Sequence, residues 1–419
     1  MKRYDEYKDS GILWIGEIPN HWEVVRLKNV VSCNDETLSE KIDANEIIEY
    51  VEIGDVEESK GITNTTHYLF KNAPSRARRI TRKDDVIVST VRTYLKAIAR
   101  INRDGLIVST GFAVLRPKSI DPLYIAYFSK CDGFTTEVLR YSIGISYPAI
   151  ATSGLLGLYL TFPPLSEQQH IVSFLDEKTA KIDEYIDKKN KEIETLKEWK
   201  KALIAHVVTK GLNTNAKMKD SGVSWIGEIP EHWKVDKLGM HFRQRNEKVS
   251  DKEFPALSVS KEGVTPQLST AVKTDNGDNR KKVCKGDFVV NSRSDRKGSC
   301  GFSSYDGSVS LINIVVTPID LCDRYYHYLF RSNNYIEEFY RLGRGIVADL
   351  WTTRYVEMRN IMIPLPPIEE QQEIVEYIDA ATTKADKMIV ELTNHVESMK
   401  EYKQRLIADV VTGKINVQP

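Results

Sequence analysis

The chain has 419 residues, 41% hydrophobic and 28% charged, and its 59 Lys plus Arg balance its 59 Asp plus Glu. That length exceeds what one core usually organises, so two or more domains are expected. The neutral balance excludes a chain that grips nucleic acid through bulk charge, so basic surface must be local or come partly from partners. No apolar run reaches about 18 residues, which excludes a membrane span of the usual kind.

The first residues, MKRYDEYKDS, lack the apolar stretch of a signal peptide, and a cytoplasmic location is expected. KDSGILWIGEIPNHWEVVRL (Lys8 to Leu27) follows, and returns as KDSGVSWIGEIPEHWKVDKL (Lys219 to Leu238). Each lead opens a body that reads as mostly β. DDVIVST (Asp84 to Thr90) and GDFVVNS (Gly286 to Ser292) are strand-like runs after a charged turn. GLIVSTGFAVLRP (Gly105 to Pro117) and GSVSLINIVVTP (Gly307 to Pro318) occupy corresponding places. Tyr124 to Leu139 and Tyr326 to Tyr340 are expected to be helical.

Each body gives way to a long charged tail. FPPLSEQQHIVSFLDEKTAKID (Phe162 to Asp183) matches LPPIEEQQEIVEYIDAATTKAD (Leu365 to Asp386). WKKALIAHVVTKGLN (Trp199 to Asn213) matches YKQRLIADVVTGKIN (Tyr402 to Asn416). In the first tail Leu175, Ile182, Lys189, Leu196 and Leu203 fall every seventh residue, beside Ile186, Ile193, Lys200 and Val207. The second repeats this with Ile378, Ala385, Leu392, Met399 and Leu406, beside Ile389, Val396, Lys403 and Val410. A seven-residue apolar repeat predicts a coiled-coil seam. Proline pairs halt the preceding strand, and Ser166 with Gln169 forms a capping-box pattern at the first helix start. Glu369 replaces the serine in the second copy. The whole chain therefore reads as two copies of one unit, alike in lead and tail and divergent in body.

Catalytic constellations are missing from the sequence. It contains no GxxxxGK[ST] loop, no HExxH, and no paired Cys/His spacing for zinc. Cys33, Cys131, Cys284, Cys300 and Cys322 are irregularly spaced and read as single thiols. His21 and His232 recur at equivalent places and are expected to pack against the neighbouring Trp. TFPPL and PLPPI share only the proline pair of adenine methyltransferase sites, because Phe162 and Leu365 stand where a polar residue is needed.

Positive charge clusters inside the bodies. Arg76 to Arg103 holds nine Lys/Arg against two Asp, and Lys273 to Lys297 holds eight against four. The two segments superpose when Asp85 is aligned with Asp287. Matched basic runs beside Ser, Thr and Tyr suit contact with DNA phosphates, and Arg, Asn and Gln can read base edges. The candidates are Arg76, Arg78, Arg79, Arg82, Lys83, Arg92 and Lys96 in the first body. Those of the second are Arg280, Lys281, Lys282, Arg293, Arg296 and Lys297.

With WIGEIPxHW, PPLSEQQHI/PPIEEQQEI and ALIAHVVTKG/RLIADVVTGK repeated at these spacings, the chain resembles the specificity (S) subunit of type I restriction–modification systems along essentially its whole length. The resemblance implies an α+β fold. Two tandem α/β target recognition domains (residues 1–161 and 218–364) would be joined by two long antiparallel coiled-coil helices (162–217 and 365–419) with pseudo-twofold symmetry. It implies a non-catalytic subunit in which each body grips half of a split double-stranded DNA target. Two methyltransferase (M) subunits would dock on the helices, and two restriction (R) subunits would complete the assembly. No cofactor is expected on this chain, whereas S-adenosylmethionine, ATP and Mg are expected on the partners. Trp14, Trp22, Trp225 and Trp233 would be buried anchors, and Gln168, Gln169, Gln371 and Gln372 would serve the helix starts as structural or partner contacts. A helix of 43 residues from Glu167 to Thr209 would span roughly 65 Å. The competing readings are a duplicated coiled-coil scaffold that binds only proteins, and an enzyme on an unusual fold.

Overall fold

The computed structural model describes residues 2–58, 60–267, 277–345 and 351–418. It separates into two units, one of Met1–Asn190 with Asn394–Pro419 and one of Lys191–Thr393. Both boundaries fall inside the long helices Leu165–Lys210 and Ile368–Val411, called here the first and second stalk helices.

In the first unit a hairpin of Tyr7–Asp9 and Glu17–Pro19 precedes strand Glu23–Arg26, which pairs with Tyr159–Phe162 at the end of the body. The body carries an antiparallel sheet in the order Ile98–Arg100, Val86–Ser89, Phe112–Pro117, Val31–Cys33. A second sheet runs Thr66–Leu69, Ile47–Val51, Ile107–Ser109, Ala77–Ile80, its one parallel pair joining Ile47–Val51 to Ile107–Ser109. Val86, Ile87 and Val88 are all buried because this central strand is covered on both faces, which explains its unbroken apolar run.

The second unit repeats the first sheet strand for strand: Cys300–Phe302, Phe288–Asn291, Asn313–Pro318, Phe242–Gln244. The buried Asp at the matched turn is held in both, but by arginines from different strands. Arg116 on Phe112–Pro117 clamps Asp85 with bonds of 3.0 and 2.9 Å. In the second unit Arg245, just past Phe242–Gln244, clamps Asp287 at 2.6 and 3.1 Å, and Thr317 stands where the first unit has its arginine.

One expectation is refined and another corrected. The stretches expected to be helical are so, but each is a pair of helices and not one, Pro122–Lys130 with Asp132–Arg140 and Asp323–Arg331 with Asn333–Arg341. Cys131 and Ser332 are extended and break them, and Ser332 caps the second helix by accepting from Tyr335 N. Ser166 is not a cap: the first stalk helix already includes it, and the Pro164 carbonyl accepts from Glu167 N and Gln168 N.

The stalk segments run antiparallel within each unit. In the first, His170 reaches Gln418 and Asp183 reaches Lys403, so one chain ascends as the other descends. In the second, Lys200 pairs with Asp386, and Gly211 lies close to Glu370. Ile182, Ile186 and Val396 fill the first unit's seam and Ile193 and Ala385 are buried in the second's. Lys200 and Lys403, at matching heptad positions, each take an Asp on the facing helix, and the two ion pairs occupy equivalent places in the repeat. The first unit also ties the chain's two ends together. Lys2 bridges Asn416, and the Tyr7 hydroxyl donates to the Gly413 carbonyl. Val396, Leu406, Ile407, Val410 and Val411 belong to the same core as Trp22 and Leu160.

Candidate nucleic-acid interface

The repeated lead has a local physical purpose. Trp22 is fully buried and its indole N–H donates to Glu167 in the first turn of the stalk helix at 2.9 Å. His21 Nε2 meets the same carboxylate at 2.5 Å, and the Tyr4 hydroxyl donates to it at 3.2 Å. In the second unit Trp233 and His232 meet Glu370 at 2.9 and 2.8 Å. The histidines thus share a carboxylate with the indole, which is more than the packing role expected of them. Trp14 and Trp225 are half-buried against the helix pairs, their rings 5.7 Å from Phe128 and Tyr335. Gly133 is required there, since a Cβ would lie 2.0 Å from the Trp14 ring.

The glutamine pairs divide their work. Gln168 and Gln371 are buried, each donating to the carbonyl of the first proline of its pair. Each also accepts a backbone N–H from the body, Gln168 from Asp121 and Gln371 from Cys322. Gln169 and Gln372 point outward. The far end of each stalk segment is tied in as well. Tyr124 donates to the Val411 carbonyl at 3.0 Å, and Tyr325 to that of Val208 at 2.7 Å. Lead, body and stalk therefore lock at both halves through the same groups, a rigid frame from which other surface can be presented.

The basic candidates scatter over this frame. Arg76 is exposed at the start of Ala77–Ile80; on that strand Arg78 lies over the Phe70 ring, and Arg79 has its Nε buried without a partner. Arg82 is held by Glu36 at 2.7 Å, whereas Lys83 is exposed in the turn. Arg92 projects from the other sheet's edge with its guanidinium over the Tyr147 ring, and Lys96 bridges Glu58 and Asp132. In the second body Arg280 turns inward to Ser308, and Lys281 donates to the Asn313 carbonyl; burial lowers the pKa of both. Lys282 pairs with Glu247 and lies over Phe254. Arg293 and Arg296 share Asp295, and Lys297 meets Glu337. Lys273 to Asn276 of the second basic segment lie outside the described residues.

Charge counting passed over a second kind of surface. Tyr94, Tyr141, Ile143, Ile145 and Tyr147 are exposed on two loops of the first body. The usable signal was the point where the halves part company, YSIGISYPAIAT (Tyr141 to Thr152) against LGRGIVADLWTT (Leu342 to Thr353). Among the described residues no helix is long and apolar enough to cross a membrane, and no His/Cys/Asp/Glu group could hold a metal ion.

The family model described as "Type I restriction modification DNA specificity domain" matches residues 19–195 and 230–398. A Methanocaldococcus jannaschii protein assigned as the MjaX type I restriction enzyme specificity subunit is 26% identical over 96% of both chains. The StySPI specificity subunit of Salmonella potsdam is 20% identical over 96% of this chain and 91% of its own. Among solved structures, the HsdS subunit from Thermoanaerobacter tengcongensis superposes with a TM-score of 0.52 at 22% identity, covering 95% of this chain and 98% of that one.

Proposed function

The chain belongs to the type I restriction–modification DNA specificity family, as a non-catalytic recognition subunit, and on that premise we propose that it reads a split, asymmetric DNA target through two unlike recognition bodies. The observation that carries this is the contrast inside the repeat. The clamp of Trp, His and Glu, the buried glutamine and the four-strand order recur in both units. The exposed side chains around them do not. A duplicated frame that presents two different surfaces suits two different half-sites.

The recognition domains in this reading are residues 1–161 and 218–364, with 162–217 and 365–419 as helical spacers. Arg76, Lys83 and Arg92 serve as phosphate or base contacts of the first body, and Arg293 and Arg296 of the second. Arg280 is an internal strut. Two methyltransferase subunits dock on the stalk, where Tyr185 and Tyr402 of the first unit and Trp199 and Met388 of the second remain exposed at equivalent heptad positions. Those subunits carry S-adenosylmethionine, and restriction subunits with ATP and Mg join them.

The test is co-purification with an adenine methyltransferase, followed by mapping of methylated adenines across a genome. A bipartite asymmetric motif supports the reading. Unaltered, motif-free methylation, or a contiguous palindrome, refutes it and favours a scaffold that binds proteins alone.

A further inference from the structure

We infer that the turn Val91–Lys96 and the loop Tyr141–Ala149 form the base-reading tip of the first body, and that it reads by apolar contact with thymine C5-methyl groups. This rests on the specificity-subunit reading above. The two segments are stapled by the backbone bridge of Val91 to Ala149 and by Thr93 Oγ1 against Ser142 Oγ at 2.8 Å, and the loop closes on itself through the bridge of Ile143 to Ala149. On that staple Ile143 is 85% exposed, Ile145 fully and Tyr147 68%. Large apolar side chains gathered in one exposed place mark a binding surface.

Strain concentrates here too. Arg92 and Lys96 both hold left-handed backbone, φ 51° and 46°, which non-glycine residues adopt only when their surroundings enforce it. The effect is to set the Arg92 guanidinium 5.3 Å from the Tyr147 ring centre, a cation beside the apolar tip. That pairing favours a polyanion with apolar base edges.

The second unit decides between DNA and a protein partner. It has the same staple, with bridges from Arg293 and Arg344 to Thr352. Arginines thus stand at the bridge positions of Val91 and Ile143, in the same bridging pattern but without the left-handed caps of the turn, since Arg293 and Lys297 have φ of −86° and −51°. A docking surface for a duplicated partner would carry the same side chains twice, as the tryptophan clamp does. A surface that keeps its frame and changes its chemistry is what two different half-sites require. Branched apolar groups in the major groove contact the thymine methyl, the one apolar feature among the base edges there.

The experiment uses the subunit purified with its methyltransferase and a duplex bearing the mapped target. Thymines in the first body's half-site, other than the partner of the methylated adenine, are replaced by deoxyuridine. We expect affinity to fall about fourfold for each methyl contacted, from the transfer value of one buried methylene-sized group. The same replacement in the other half-site should change nothing. Ile143→Ser with Ile145→Ser should weaken the thymine duplex and abolish the difference between thymine and deoxyuridine. Unchanged affinity on deoxyuridine, or a half-site with no such thymine, overturns the inference while split-site binding by the unaltered complex leaves the functional reading standing. No split-site binding at all overturns both.

Discussion

Replacing Glu167 by alanine probes the joint that the sequence repeats. The carboxylate accepts from the Trp22 indole, from His21 and from Tyr4, and its side chain is only 13% exposed. Losing it strands the N–H of a fully buried tryptophan, which costs about 1–3 kcal/mol, and the two remaining bonds, nearer solvent, add about 1. A loss of about 3 kcal/mol in a unit of roughly two hundred residues lowers its unfolding midpoint by about 6–12 °C. Glu370→Ala takes the acceptor from two groups, Trp233 and His232, rather than three, so its unit should lose less. Differential scanning calorimetry of both variants reads the shift. Trp22→Phe keeps a ring and drops the N–H; in that background Glu167→Ala should cost about 1–2 kcal/mol less. Equal melting of Glu167→Ala and the unaltered protein, or strict additivity of the pair, would refute the proposed joint.

Arg116→Met should destabilise the first unit by about 3 kcal/mol in urea unfolding, since Asp85 is buried and left without its counter-charge; Asp85→Asn in the same chain should restore part of the loss. Lys200→Leu with Lys403→Leu should raise the melting temperature yet permit slipped or intermolecular helix pairing, seen as extra species in light scattering, because two polar seam positions no longer fix the register. Burial and then the neighbouring Arg331 pull the His327 pKa from 6.5 down to about 4. The neutral ring is the form the second unit favours, so its contribution is complete above about pH 6.5 and is lost as pH falls towards 4. His327→Gln should flatten the stability of that unit over this window, and an unchanged slope would count against it.

The heptads and the doubled lead were readable because a period of seven and a repeated nonapeptide survive without tertiary context. The break at Cys131 was not, since no proline or glycine stands there and the interruption serves the close approach of Trp14 to Gly133. Gln168 and Gln169 are chemically identical. Only the exact start of the stalk helix decides that one is a buried clamp and the other faces outward. Arg280 counts towards a basic run, yet its place on the strand turns it inward to Ser308. Charge tallies carry no information about the face of a strand, whereas divergence between the two halves does.

The first unit takes its closing strip from residues 394–418, synthesised after the entire second unit. Until those residues emerge, the pocket around Trp22 and Tyr124 lacks Leu406, Val410 and Val411, and the earliest-made body must wait with an open flank. Birth order and completion order are therefore reversed: the later-made half can settle during translation, while the earlier-made half depends on a late arrival. A nonsense codon near residue 394 would spare the younger recognition body and cripple the older one.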